Sequence, residues 1–97
     1  MIQGYRDKAT EDIRNGRSSR IARNRLPAAL WRTAARKFDQ LHRVLDLEEL
    51  RTPPGNHLEA PRGDRHGQYA IRINEQYRIC FVWGPDGPDE LEVVDYH

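Results

Sequence analysis

The sequence predicts an α+β fold: a small antiparallel sheet of three to five strands, covered on one face by two helices from the N-terminal half. Two observations carry this expectation. Between residues 69 and 81, apolar side chains alternate in two runs, Tyr69, Ile71, Ile73 and then Tyr77, Ile79, Phe81. Period-two alternation is the pattern of strands with one buried face. Between residues 27 and 45, Leu30, Ala34, Phe38, Leu41 and Leu45 recur at spacings of four and three, which gathers them on one side of a helix. The helix has an apolar stripe to bury and the hairpin an apolar face to cover, so the two should pack together.

Taken in order, Asp7 to Asn15 reads as a short helix. Asp7 is its N-cap, Glu11 and Asp12 lie in its early turns, and Gly16 suits its end. Only Ala9 and Ile13 are apolar inside it, so it must dock rather than stand alone. Gly16 to Arg25 is a basic connection carrying Arg17, Arg20, Arg23 and Arg25, either irregular or partly helical. Pro27, favoured at the first helical position, opens the main helix, which runs to Leu45. Trp31 and Val44 widen its apolar stripe, Trp31 as a core residue, while Arg32, Arg36, Lys37 and Arg43 point away. Leu47 to Leu50 is a short hinge, and Thr52-Pro53-Pro54-Gly55 breaks any helix. Leu58 to Asp64 is a loop or irregular strand, Gly84 to Pro88 a turn, and Leu91 to Tyr96 the last strand.

The hairpin has a consequence on its other face. For both apolar sets to share one side, Ile73 must lie opposite Tyr77, with Asn74, Glu75 and Gln76 in the turn. Arg72 then falls directly opposite Arg78. Like charges paired across strands repel, so this place needs an anion, with a phosphate and Asp95 as the two candidates.

Composition narrows the classes. The chain has 97 residues, enough for one domain with a single modest core. A single cysteine allows no internal disulfide and fits a reducing compartment. The first residues have no apolar leader region and no stretch approaches a membrane span, which makes a cytoplasmic location the expectation. The net charge of +1 conceals a split: residues 1–44 hold 11 Lys/Arg against 4 Asp/Glu, a balance of +7, and residues 45–97 hold 5 against 11, a balance of −6. Such asymmetry suits a polyanion or an acidic partner; the plainer alternative is attraction between the halves.

His42, His57, His66 and His97 lack ligand spacing with one another or with Cys80, so no metal or cofactor is expected. What remains suits phosphate chemistry on RNA. Arg62, Arg65, Arg72 and Arg78 lie in or beside the hairpin. Glu59, His57, His66 and His97 are groups able to exchange protons, and Tyr96 offers a flat ring for an unpaired base. Breaking RNA without a metal needs a base for the 2′-hydroxyl, a donor for the leaving oxygen and cations on the phosphorane.

An ordered series of motifs runs through nearly the whole chain: Leu58-Glu59-Ala60, Arg62-Gly63-Asp64-Arg65-His66-Gly67, Ile71-Arg72-Ile73-Asn74, Gln76-Tyr77-Arg78-Ile79 and the terminal Val94-Asp95-Tyr96-His97. This series resembles the HigB toxins of the RelE/ParE superfamily. The resemblance implies one RelE-like domain over residues 1–97, and makes the weakly patterned Ile2 to Arg6 a short first strand. It also implies mRNA cleavage on translating ribosomes and neutralisation by an antitoxin carrying a helix-turn-helix domain (HigA-like). By position, Asp95, Tyr96 and His97 match the family's catalytic tail, Arg78 its phosphate-stabilising arginine, and Arg62 a basic position used on RNA. Arg65, Arg72 and His57 join the substrate-binding set. Glu59 falls where members carry histidine or glutamate, which leaves the general base open among Glu59, His57 and His97. Pro61 stands where members commonly have leucine; proline removes a backbone donor and restricts Ala60. Two other classes share some of these features. One is a ParE-like gyrase inhibitor without catalysis; the other is an inactive nucleic-acid-binding module built on the arginines from Arg14 to Arg25.

Overall fold

In the computed structural model, which describes residues 1–52, 55–60, 63–65 and 67–96, Asp7 caps the first helix as its side chain predicts. Asp7 Oδ1 accepts the Thr10 amide at 2.9 Å, α1 spans Lys8–Arg14, and Gly16, at φ +73°, carries the chain away. Ala9 and Ile13 are buried, and so are Thr10 and Asp12. Thr10 and Asp12 are each held by a hydrogen bond. Thr10 Oγ1 accepts the Val93 amide at 2.9 Å. Asp12 Oδ2 accepts the Ser19 hydroxyl at 2.6 Å, and Ser19 Oγ accepts the Ala22 amide at 3.2 Å, capping α2, Arg20–Arg25. The second part of the basic connection is thus helical.

These contacts hold both carboxyls below their ordinary pKa of 3.8. At Asp12 the Ser19 hydrogen bond leads, and with Lys8 and Arg17 it outweighs burial. At Asp7 burial pushes upward but is overcome by hydrogen bonds from Thr10 and Arg25. A depressed folded-state pKa contributes stability that is complete above the unfolded value and disappears as pH falls through the folded one. Ser19→Ala should therefore cost roughly 0.5–2 kcal/mol as a lost cap and move the acid-unfolding midpoint to higher pH. Far-UV circular dichroism against pH checks both; an unmoved acid midpoint would remove Ser19 from the account.

The main helix differs from expectation at both ends and at one residue between them. Pro27 does not open it. A 3₁₀ turn covers Ala28–Leu30, and α3 spans Trp31–Arg43. Pro27 is extended at ψ 139°, and the Trp31 indole donates to the Leu26 carbonyl at 2.9 Å, which fixes the entry angle. Leu45 is 90% exposed rather than part of the stripe. Val44 turns to extended backbone, and the Glu49 carboxylate takes the Leu45 and Asp46 amides at 2.8 and 2.7 Å. Glu49 and Asp46 form a capping box for a 3₁₀ helix, Leu47–Arg51, that buries Leu50. Lys37 does not point away either. It is buried and its ammonium is bonded to Asn56 Oδ1, as long basic side chains at the rim of an apolar stripe allow.

The sheet contains β1 (Tyr69–Arg72), β2 (Tyr77–Gly84) and β3 (Gly87–Asp95), antiparallel in that order. The hairpin register is the expected one, with Tyr69 opposite Phe81, Ile71 opposite Ile79 and Arg72 opposite Arg78. β3 starts at Gly87 rather than Leu91, because Gly84 and Gly87 pair and only Pro85 and Asp86 form the loop. A Cβ on Gly87 would collide with the Met1 carbonyl. A bulge lies across from Cys80 to Val82, with Glu90 at φ +52°; it returns Leu91 to the buried face. Ile2 to Arg6 is extended but makes a single parallel bridge, Tyr5 to Leu91, with Gln3 and Arg6 donating to Pro88 and Leu91 carbonyls at 2.8 Å.

Ala34, Phe38 and Leu41 of α3 share one core with Ile71, Ile79, Phe81, Leu91 and Val93. The helices therefore cover the predicted face and leave the opposite one free. Among the described residues no helix is long and apolar enough to cross a membrane.

Candidate functional site

The open face of the sheet is set by strand parity. Residues directly opposite one another share a side, so one row reads Glu59, Ala70, Cys80, Glu92 and the next Arg72, Arg78, Val94. Ala70, Cys80 and Val94 are buried and form a small apolar floor on which Tyr96 packs. This face is thus not polar throughout; charged groups surround an apolar patch.

Arg78 is its centre. Though charged, it is only 6% exposed. Its Nη1 donates to the carbonyls of Asn74, Glu75 and Tyr77 at 2.6, 2.8 and 3.3 Å, so the guanidinium closes the hairpin turn from which it springs. Its Nε lies 3.7 Å from Glu59 Oε1, and its Cζ sits 5.2 Å from the centre of the Tyr96 ring, a cation–π contact. Arg72 stands alongside. The Arg72 amide donates outward to Asn56 at 2.8 Å, which makes Arg72 and Arg78 a non-hydrogen-bonded pair, the kind whose Cα atoms approach to about 4.5 Å. Arg72 Nε and Arg78 Nε are both buried without a hydrogen-bond partner among the described residues. With Nε donors that no described residue accepts, the two arginines are chemically suited to an anion.

Arg65 joins from the flank. Its Nη1 bonds Glu92 Oε1 at 2.8 Å, and that bond raises the guanidinium's pKa further. Glu92 was not among the sequence candidates, although period two places it on the face of Val94 and Tyr96. Burial pushes the Cys80 thiol up, with Arg65 pulling it down less, so the cysteine is a floor residue and not a nucleophile.

Of the predicted residues, the structure brings Glu59, Arg72, Arg78 and Tyr96 together, with Arg65 beside them. Asp95 lies opposite Tyr77 and so projects to the other side of the sheet. Its carboxylate accepts the Gln76 amide at 3.2 and 3.1 Å, and Gln76 O accepts the Tyr96 amide at 2.6 Å. Asp95 thus helps place Tyr96, while the carboxylate seen beside Arg78 is Glu59. An open concavity of about 420 Å³ along the outer edge of β3 is lined by Arg25, Arg65, Tyr77, Glu92 and Asp95 among others. His57 is exposed in left-handed backbone at φ +47°, and the contacts just described do not include it. His97, Arg62, His66 and Pro61 lie outside the described residues.

The chain was compared with known proteins. A model of the RelE-like toxin HigB of type II toxin–antitoxin systems matches residues 16–97, a span that holds the whole site. An uncharacterised protein of Haemophilus influenzae is 36% identical over 60 residues, covering 62% of this chain and 59% of that protein. Toxin HigB-1 of Vibrio cholerae is 39% identical over 58 residues, covering 60% of this chain and 61% of the toxin. The chain spans about three fifths of the length of these curated relatives. With most of its length matched and its arginine face within that span, the chain belongs to the HigB-like family, the RelE-like toxins of type II toxin–antitoxin systems.

Proposed function

We propose that this protein is an endoribonuclease that cuts messenger RNA on the translating ribosome and so inhibits translation, with an adjacent helix-turn-helix antitoxin as its cytoplasmic partner. The observation that carries the reading is the pair of buried guanidinium Nε atoms of Arg72 and Arg78, which have no hydrogen-bond partner among the described residues, with the Glu59 carboxylate and the Tyr96 ring beside Arg78. That set matches what phosphodiester cleavage in RNA requires. Glu59 takes the proton of the 2′-hydroxyl, whose oxygen attacks the adjacent phosphorus. The 5′-oxygen leaves with a proton from His97, which follows Tyr96 in the chain, and a cyclic phosphate remains. Arg72 and Arg78 stabilise the negative charge that grows on the phosphorane oxygens. Tyr96 stacks with a base beside the cut, and Arg62, Arg65 and His57 guide the flanking strand. Asp95 acts indirectly, by fixing the tail.

The basic half suits the RNA surroundings. Among the described residues, ion pairs such as Arg14–Asp39, Arg25–Asp7, Arg65–Glu92 and Arg78–Glu59 form within one half of the chain rather than between halves. Arg20, Arg32, Arg36 and Arg43 are exposed and available to a polyanion.

The test is cleavage of a labelled message on purified ribosomes. Glu59→Gln should slow it by at least roughly 10²-fold, the lower end for loss of a general base. An intact message in the presence of wild-type protein would overturn the reading. Arrested DNA supercoiling would then indicate gyrase inhibition, and steeply salt-dependent duplex binding alone a binding module.

A further inference from the structure

Among the described residues, the segment bearing Glu59 forms no named strand and meets the sheet at two points. One is a bridge that joins Glu59 to Ala70 through N–H···O bonds of 3.1 and 2.9 Å. The next attachment is the Arg72 amide, which donates to Asn56 O at 2.8 Å. Between these two points, His57 and Leu58 face Ile71 alone, an extra residue in the manner of a β-bulge, with His57 in left-handed backbone at φ +47°. A bulge changes which face a residue meets. The side on which Glu59 emerges therefore depends on where Asn56 is fixed.

Asn56 is fixed firmly. It is fully buried, and its amide group has every polar atom engaged. Oδ1 accepts from Lys37 Nζ, and Nδ2 donates to Gln40 Oε1 and to the Leu50 carbonyl, both at 3.0 Å. Lysine offers donors only, so the amide oxygen must be the atom facing Lys37, and the orientation of the group is determined. Lys37 and Gln40 lie one turn apart on α3, on the far side of the sheet from the arginines. A line of hydrogen bonds thus runs from the covering helix, through Asn56, to the backbone of Arg72.

We infer that Asn56 is a positioning residue for the arginine face: clamped to Lys37 and Gln40 of α3, it sets the register that aims Glu59 at Arg78 and ties that register to Arg72. It touches no substrate; it acts through Glu59. The inference rests on the proposed ribonuclease reading for its kinetic consequence, but not for its structural one.

The experiment has two arms. Hydrogen exchange on Asn56→Ala reads the structure directly. The Ala70 amide, which donates to Glu59 O, and the Arg72 amide, which donates to Asn56 O, should lose protection while Ile79 keeps it. Unchanged protection at Ala70 and Arg72 would overturn the inference whatever the protein does. Ribosome-bound cleavage reads the consequence. Asn56→Ala should lower kcat on the order of 10²-fold with KM nearly unchanged, the effect of misplacing a catalytic group by about 1 Å. In a Glu59→Gln background it should lower kcat little further, because the group it positions has already gone. An equal fall in both backgrounds would mark a merely structural role and overturn the kinetic part. Asn56→Asp, which keeps the acceptor for Lys37 and the side-chain shape, should retain more activity than Asn56→Ala, and it serves as the folded variant if alanine destabilises the domain. A wild-type protein that leaves message intact refutes the ribonuclease reading alone, and the exchange arm still decides the register.

Discussion

Under the proposed ribonuclease reading, Arg78→Ala should lower cleavage of ribosome-bound message by roughly 10²–10⁴-fold, and it should destabilise the protein as well. The first effect follows from its place beside Glu59, Arg72 and Tyr96, where charge on the phosphorane would develop. The second follows from its place in the turn: at 6% exposure, its guanidinium is the shared donor to the Asn74, Glu75 and Tyr77 carbonyls, and hydrogen bonds to a charged group contribute about 1.5–3 kcal/mol. Arg78 is thus the closure of the hairpin turn as well as a member of the arginine face. Arg78→Lys separates the two effects. A lysine keeps the charge but loses the planar fork, so it should recover part of the stability and little of the rate. Urea midpoints and initial cleavage rates on the same samples provide the comparison. An alanine variant cutting at the wild-type rate would remove Arg78 from the chemistry.

Phe38→Ala should cost about 3–5 kcal/mol, the range for a buried aromatic truncated in a core that cannot collapse around the hole. Phe38 is fully buried in the cluster that joins α3 to Ile71, Ile79 and Phe81. A domain of this size has about 5–15 kcal/mol in total, so the loss takes a substantial share of its stability. Urea unfolding followed by tryptophan fluorescence measures this. A loss under 1 kcal/mol would mean that the helix does not rest on this face of the sheet.

Parity explains why the hairpin was readable. Once Tyr69, Ile71 and Ile73 must share a side with Tyr77, Ile79 and Phe81, a short turn leaves one register, and Arg72 opposite Arg78 comes with it. Helical spacing identified Ala34, Phe38 and Leu41 for the same reason. Leu45 was misplaced because the helix is ended from outside its own pattern, by Glu49 reaching back to the Leu45 and Asp46 amides. The signal was present: Asp46 followed by Glu49 is a capping box. Lys37 carried no such signal. Its burial depends on an asparagine 19 positions away, and only the folded chain shows that pairing. Glu59 could be named as a candidate, but its side of the sheet could not, because the extra residue at His57 reverses simple alternation.

The attachment of Tyr5 to Leu91 bears on when this protein becomes complete. Contacts between distant parts of a chain form late, since the intervening loop must be closed before they contribute. Here the first extended segment has no hydrogen-bonded neighbour in the sheet until β3 has been made, and Tyr96, which covers Arg78, follows β3. Synthesis proceeds at about 5–20 residues per second, so the arginine face has no finished form until β3 and Tyr96 have been made. A ligand that recognises the assembled face can engage it only once β3 has paired with β2 and Tyr96 has packed on its apolar floor.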